Sequence, residues 1–214
     1  MDNTKARRIV KICVIVLLVF LAVMFFLRNR ASHKSIAGIR PPKQTETTGG
    51  TKLSVDGETV NVSYKYEYEI EGLVVHTKRH HGFGMEDDIS PIDVALAWGD
   101  VAEYNDRINF HWSQRGRFYY WRVSSYDELE PIGSEVDVIR QSSNNHLIPS
   151  SSEMRSKIKS IMPGDHIKIK GYLVNLNCTK SNGSTFYWNS STIRSDDGDG
   201  ACELIYVTDL TWLD

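Results

Sequence analysis

An uninterrupted apolar run near the N-terminus is the feature that most constrains what this chain can fold into. Residues 12–27 read ICVIVLLVFLAVMFFL, and Ile9 and Val10 extend the run because the stem of Lys11 can stay in lipid while its ammonium group reaches the headgroups. About 20 apolar residues cross the hydrocarbon core of a bilayer as a helix. The sequence therefore predicts a transmembrane helix over residues 9–27, in contact with the lipid bilayer.

The flanks of this run favour a permanent anchor over a cleaved signal peptide. A signal peptide has a basic start, an apolar stretch of about 7–15 residues and a small-residue cleavage site. The run here is longer and ends at Leu27 and Arg28 without such a site. Basic residues lie on both sides, but the short basic tail over residues 1–8 and the ready translocation of long domains favour a cytoplasmic N-terminus. We therefore expect a single-pass protein of the cell inner membrane, with its C-terminal domain in the periplasm.

The rest of the chain divides into a linker and one domain. Residues 28–57 contain two prolines and several glycines among Thr, Ser and Lys, a composition that buries too little apolar surface to fold alone. This composition predicts a flexible linker. Residues 58–214 are long enough for a single soluble domain with its own core.

Periodicity predicts the fold class of this domain. From residue 60 to residue 70, Val, Tyr and Ile alternate with polar residues, which is typical of a half-buried strand. Residues 167–176 predict a second strand, in which Gly171 marks a bulge or bend. Ser90 and Pro91 carry the N-cap and first-turn signals of a short helix that ends at Gly99. Strands and short helices without regular β-α-β alternation predict an α+β fold with a mostly antiparallel sheet, and we expect its C-terminal part to be an OB-like barrel.

Aromatic and basic residues supply the candidate binding residues. A stacking platform for sugars or single strands could be formed by residues 118–121 together with Trp112, Arg115, Arg117 and Arg122, although aromatic residues on a central strand more often pack a core. The net charge of −2 provides no field that attracts a polyanion, so we expect no nucleic-acid partner. The binding candidates are Trp98, Trp112, Arg122 and His146.

An acidic, glycine-bearing loop supplies the candidates for catalysis and for metal binding. Alternating carboxylates and glycines can wrap calcium, but this loop is shorter than a complete EF-hand, so a polar hairpin turn is the favoured interpretation. The catalytic candidates are Arg194, Asp196, Asp199 and Glu203, and the metal candidates are Asp197, Asp199 and Glu203.

Two groups of potential ligand residues remain. Cys178 and Cys202 predict a disulfide in an exported domain, worth on the order of 3 kcal/mol. If they are not bonded, Cys202 is a candidate nucleophile, with His111 or His146 as its base. His76, His80 and His81 form a histidine group without a recognised metal motif, so a basic loop edge is favoured and no cofactor is expected.

Four segments carry a resemblance to known proteins: SPIDVALAWG at 90–99, YYWR at 119–122, NHLIP at 145–149 and GDGACE at 198–203. With them, the chain resembles a group of uncharacterised bacterial proteins that typically pair such a domain with an N-terminal membrane anchor. The resemblance covers the chain from about Leu73 onward. The group has no established activity, so it implies no functional residue.

These observations predict a function of the binding type. The sequence predicts a single-pass, membrane-anchored binding or assembly module of the bacterial cell envelope, without catalysis, whose partner is another envelope protein or the cell wall. The alternative is a membrane-tethered hydrolase that uses the loop at 194–203, with or without calcium.

Overall fold

The computed structural model describes residues 3–193 and 201–213, and within the N-terminal helix it describes the side chains of residues 7–24. That helix, α1, runs from Asn3 to Ser32 and is 30 residues long. Taken over its described residues, the structure contains no helix with the length and apolarity that a membrane crossing requires.

One large sheet dominates the described residues. The ten strands are β1 (Lys43–Glu46), β2 (Gly50–Val55), β3 (Glu58–Arg79), β4 (Ile92–Ala97), β5 (Ser113–Arg115), β6 (Phe118–Tyr120), β7 (Ser142–Pro149), β8 (His166–Thr179), β9 (Thr185–Asn189) and β10 (Glu203–Leu213). Short helices lie between them: α2 (Met85–Ile89), α3 (Gly99–Glu103), a 3₁₀ helix (Tyr126–Leu129), α4 (Glu135–Arg140) and α5 (Ser152–Ile158). The α+β class and the mostly antiparallel sheet predicted from the sequence are confirmed.

The 22-residue strand β3 joins two parts of the sheet. Its first two thirds pair antiparallel with β8, and its last third pairs antiparallel with β4. The order then continues through β7 and β10 back to β8. Of the pairings among the described strands, β7 with β10 is the parallel one. Strands β5 and β6 form a separate two-stranded sheet.

The buried side chains form two clusters, which lie on opposite faces of the sheet along β7. Alternation along a strand sends successive side chains to opposite faces, so Leu147 joins the first cluster and Ile148 the second. Helix α5 adds Met154 and Ile158 to the first cluster. The second cluster also contains Ile89 of α2 and Phe186 of β9.

Part of the segment predicted as a flexible linker, residues 28–57, is integrated into the sheet. Strands β1 and β2 both pair antiparallel with β3. Ile39 is buried in the first cluster, and its carbonyl oxygen accepts a hydrogen bond from Gly99 N–H. The sequence does not show β1 and β2 as strands because most of their side chains are polar. An outer strand can face solvent on both sides while its backbone pairs with a neighbour.

The helix predicted from Ser90 to Gly99 is wrong. Residues Ile92–Ala97 form strand β4, and every residue of that strand is buried. A continuous apolar run fits a strand covered on both faces, and this outweighs the local capping signal of Ser90 and Pro91. The helix α3 begins only at Gly99.

Candidate functional site

Asp93 lies at the centre of a buried group of charged side chains. Its carboxylate is fully buried and contacts three cationic or ionisable groups. His80 Nε2 lies 2.8 Å from Oδ2 of Asp93, and Arg117 Nη1 donates to Oδ1 at 2.8 Å. His146 Nδ1 also lies 2.8 Å from Oδ1, although this contact is not aligned as a straight hydrogen bond. We call these four residues the Asp93 cluster.

Pairing of β4 with β7 positions the centre of this cluster. Asp93 lies directly opposite His146 in the antiparallel register. His80 follows the end of β3, and its N–H donates to the carbonyl oxygen of Pro91, which holds it beside the start of β4. Arg117 comes from the turn between β5 and β6. The four residues are far apart in the sequence and meet only because the sheet brings their strands together.

Arg117 is held on three sides. Its Nη2 donates to Asp87 Oδ1 at 2.6 Å and to the carbonyl oxygen of Ser90 at 3.1 Å. Its guanidinium carbon lies 5.0 Å from the centre of the Trp188 ring, within the range of a cation–π contact. The His146 ring also lies 5.0 Å from that of Trp188. Trp188 therefore forms a wall of the Asp93 cluster on its β9 side.

These contacts keep Asp93 ionised. Burial by itself raises the pKa of a carboxyl group, because the charged form loses its hydration. The contacts with His146 and His80 and the charge of Arg117 outweigh burial, and the pKa of Asp93 is lower than its ordinary value. A buried carboxylate of this kind can orient an imidazole and stabilise its protonated form.

A cleft of about 330 Å³ opens beside the cluster. Aromatic and polar side chains form its walls in nearly equal measure, which is typical of sites that orient a small ligand or a segment of a partner. The lining residues are Arg117, Phe118, His146, Tyr187, Trp188, Asn189 and Cys202. Of the binding candidates proposed from the sequence, His146 lies in this cleft.

The other three binding candidates lie elsewhere. Trp98 is almost completely buried in the first hydrophobic cluster. Trp112 donates from Nε1 to Asn105 Oδ1 at 2.8 Å and packs on the Phe110 ring. Arg122 donates its backbone N–H to the carbonyl oxygen of Phe110. The structure does not bring these three residues to the cleft.

The predicted disulfide between Cys178 and Cys202 is wrong, because the two thiols are not bonded to each other. Cys178 is buried in the second cluster, where it pairs with Phe186 across β8 and β9. Cys202 Sγ accepts a hydrogen bond from Asn144 Nδ2 at 3.4 Å and donates to the carbonyl oxygen of Arg117 at 3.7 Å. The two side chains thus have separate packing partners.

The acidic loop lies largely outside the described residues. Arg194, Asp196, Asp197 and Asp199 fall within the segment 194–200 that is not described. Glu203 is described, is 2% exposed and begins β10 opposite Asn145. Where the structure is described, no group of three or more His, Cys, Asp or Glu side chains could hold a metal ion.

The histidine group of the sequence separates into different environments. His80 belongs to the Asp93 cluster, and His81 is exposed. His76 Nδ1 lies 2.9 Å from Gln114 Oε1, and Gln114 in turn donates to Asn144 Oδ1 at 2.6 Å. Asn144 donates to the carbonyl oxygen of Arg117, so this chain of contacts supports the turn that carries Arg117.

Sequence reasoning did not connect Arg117, Asp87 or Trp188 with Asp93 and His146. Arg117 follows a glycine in a hairpin turn, and Trp188 lies in a short aromatic strand, so both resemble ordinary surface or packing residues. The available signal was Asp93 itself, a carboxylate within an otherwise apolar stretch. Charged residues are almost never fully buried unless they are paired, so this position predicts a partner.

Comparison with known proteins gives no indication of function, so the proposals below are based on the Asp93 cluster and its cleft. No family model, no curated protein and no solved structure matches the chain.

Proposed function

We propose that the chain is a single-pass, membrane-anchored binding or assembly module of the bacterial cell envelope, and that the cleft beside the Asp93 cluster receives its partner. The observation that carries this proposal is the cleft, where aromatic walls meet polar groups held by a buried ion cluster. Such a rigid, mixed surface orients a bound group without having to reorganise. The partner is another envelope protein.

We also propose that the domain folds as an OB-like barrel. The circuit of pairings from β3 through β4, β7, β10 and β8 back to β3 supports it. The parallel pairing of β7 with β10 and the position of α5 between β7 and β8 agree with a Greek-key connection. In OB folds, the face formed by the second and third strands, with the adjoining loops, binds extended polymers. When β3 is counted as the first strand of the barrel, β4 is the second and β7 is the third. Asp93 lies on β4 and His146 lies on β7.

The proposed location of the chain in the inner membrane depends on its N-terminal apolar run. The run extends over residues 12–27 of the sequence, beyond the helical residues whose side chains are described. A helix of about 20 apolar residues spans a bilayer, and a short basic tail favours the cytoplasmic side. The proposed arrangement is an inner-membrane anchor at residues 9–27 with the domain in the periplasm.

Site-specific crosslinking in intact cells tests the binding role. A photoreactive phenylalanine derivative at Tyr187, which is 69% exposed at the cleft, is expected to crosslink the full chain to one envelope protein. The same derivative at Tyr126, which is 67% exposed but does not line the cleft, serves as the matched control. A partner that docks in the cleft reacts at the first position and not at the second.

A second variant decides whether the cleft itself is used. Trp188→Ala removes the wall that contacts Arg117 and His146, so the Tyr187 adduct is expected to fall at least about tenfold, as for loss of an aromatic contact at the centre of an interface. An adduct to cell-wall sugars instead of a protein would show that the partner is not, as proposed here, an envelope protein. Equal adducts at Tyr187 and Tyr126, or no effect of Trp188→Ala, would overturn the proposed site.

The alternative of a calcium-dependent hydrolase depends on Arg194, Asp196, Asp199 and Glu203. No described contact favours it, since the segment 194–200 lies outside the described residues. Titration of the full chain with calcium chloride in a calorimeter tests it. Measurable heat together with a rise in melting temperature is the outcome that this alternative requires.

A further inference from the structure

We propose that Cys202 is a nucleophilic thiol, with His146 as its base and Asp93 as the residue that positions His146, and that the site accepts acyl groups from esters or thioesters. This activity goes beyond the proposed binding role, and it would replace the expectation that the module has no catalytic function. The inference rests on three features that the structure brings into one cleft.

The first feature is the position of the thiol. Cys202 and His146 both line the cleft. Leu204 lies opposite His146 in the parallel pairing of β10 with β7, so Cys202 lies level with Asn144, two residues along the neighbouring strand. The contact of Cys202 Sγ with Asn144 Nδ2 agrees with that register. Cys202 and His146 are therefore diagonal neighbours, and the imidazole ring, which is longer than the cysteine side chain, covers most of the distance between them.

The second feature is the orientation of His146. The side chain is 4% exposed, and its Nδ1 lies 2.8 Å from the ionised Asp93. Because Nδ1 faces the carboxylate, Nε2 is the nitrogen left for the cleft and for a proton of the thiol. A carboxylate, an imidazole and a nucleophile in this order form the arrangement that activates serine and cysteine nucleophiles.

The third feature is the charge around the thiol. Arg117 and His146 line the cleft with the thiol, while His80 and the carboxylates of Asp93 and Asp87 lie behind them. Asn144 Nδ2 donates toward Sγ. The Arg117 guanidinium and a donor to sulfur both favour the thiolate, which is the reactive form of cysteine, and the resting thiol donates to the carbonyl oxygen of Arg117 at 3.7 Å.

The reaction follows the usual course of acyl transfer. Cys202 Sγ gives its proton to His146 Nε2 and attacks the carbonyl carbon, which forms a C–S bond. The C–O or C–S bond to the leaving group breaks, and the leaving group takes the proton from His146. Water then attacks the acyl-cysteine with His146 as base, which releases a carboxylic acid and restores the thiol. Nothing beyond the acyl donor and water is consumed.

Alkylation of a single-cysteine chain tests the thiol. In the full chain in detergent, Cys13→Ser and Cys178→Ala leave Cys202 as the one cysteine. Iodoacetamide at pH 6.5 is expected to react about tenfold faster with the native chain than with the same chain unfolded in urea, where the thiol has its ordinary pKa near 8.5. A native rate equal to or below the unfolded rate would overturn the proposal.

Variants of the two supporting residues distinguish activation from simple exposure. His146→Gln is expected to remove the rate advantage and move the alkylation profile to higher pH. Asp93→Asn is expected to move the profile in the same direction by a smaller amount, which a merely structural role would not do. If Asp93→Asn fails to fold, His146→Gln decides alone. Unchanged profiles in folded variants would contradict the assigned roles.

Mass spectrometry after exposure to p-nitrophenyl acetate tests the acyl step. We expect a burst of p-nitrophenol together with one acetyl group on Cys202, and neither in Cys202→Ser. A reactive thiol that takes no acetyl group would overturn the acyl-transfer assignment. The Tyr187 crosslink does not depend on the thiol, so failure here leaves the binding proposal standing, and failure of the crosslink leaves this one standing.

Discussion

At the scale of single residues, Asp93 shows how a buried charge can be tolerated. Removing a carboxylate from water is costly, and the cost is offset only when several partners replace its hydration. His80, His146 and Arg117 provide those partners, and Asp87 holds the second half of the Arg117 guanidinium. The cluster is therefore interdependent, and loss of its centre leaves three buried groups without their common counter-charge.

Asp93→Asn is expected to lower the free energy of unfolding by on the order of 3 kcal/mol at neutral pH, because it leaves buried cations uncompensated. The pKa of Asp93 is lower in the folded chain than its ordinary value near 3.9. Its contribution is therefore fully present above about pH 4 and is lost as the pH falls through the folded pKa. Urea unfolding followed by tryptophan fluorescence at pH 7, 5 and 3 measures the difference.

The matched control for this substitution is Asp106→Asn. Asp106 is exposed, and its Oδ1 lies 3.9 Å from Nε of Arg107. A surface pair of this kind contributes little to stability. We expect no change in unfolding for this variant. Equal losses for the two variants, or a loss for Asp93→Asn that persists undiminished at pH 3, would contradict the role assigned to the cluster.

At the scale of elements, β8 carries two neighbours along much of its length, since it pairs with β3 and with β10. Gly171 is paired with both β3 and β10, and a Cβ atom there would overlap the carbonyl oxygen of Tyr206 in β10. The sequence predicted a special backbone position at this glycine, and the reason is the close approach of β10.

Gly171→Ala is therefore expected to destabilise the domain by about 3 kcal/mol, because a backbone carbonyl cannot move aside without disturbing the ladder. Gly84→Ala is the control, since a Cβ there meets only the flexible side chain of Glu86. Thermal unfolding monitored by circular dichroism compares the two. Similar melting temperatures would show that β10 does not constrain Gly171.

The segment at residues 36–55 is a second prediction at this scale. Ile39 is 4% exposed and packs in the first cluster, so Ile39→Ala is expected to cost about 2–5 kcal/mol. A flexible linker would lose nothing. Ile193→Ala, at a side chain that is 59% exposed, is the control and should leave stability within about 0.5 kcal/mol. Urea midpoints of the two variants decide between an integrated segment and a linker.

The limits of sequence reasoning are clearest in particular elements. The alternation at residues 60–70 predicted β3, because half-buried strands have a period of two. Strand β4 was mistaken for a helix because burial on both faces removes that period. His146 was a candidate in the sequence, as a binding residue and as a base for Cys202, whereas Arg117 and Trp188 join the site only through pairings between distant strands, which leave no local signal.

At the scale of the whole molecule, the proposed anchor and the domain predict different locations after cell fractionation. The apolar run at residues 12–27 favours lipid, while the domain has its own buried core. We expect the full chain to stay with the inner membrane after an alkaline wash, and a chain that begins at residue 33 to remain in the supernatant. Immunoblots of the two fractions measure this distribution.

An alkaline phosphatase fused after Asp214 tests the orientation, because this enzyme is active only when exported. We expect activity with the full chain and none when the residues of the predicted anchor are removed. An active cytoplasmic reporter in the same position, or release of the full chain by the wash, would refute the proposed location.

The parallel pairing of β7 with β10 also has a consequence for how the molecule is made. Because β10 lies between β7 and β8, neither of those strands meets its neighbour on that side until residues 203–213 have left the ribosome. Contacts between distant parts of a chain form slowly. A nascent chain thus carries one open edge on β7 and one on β8 through the last part of its synthesis, and open strand edges of this kind can pair with other chains.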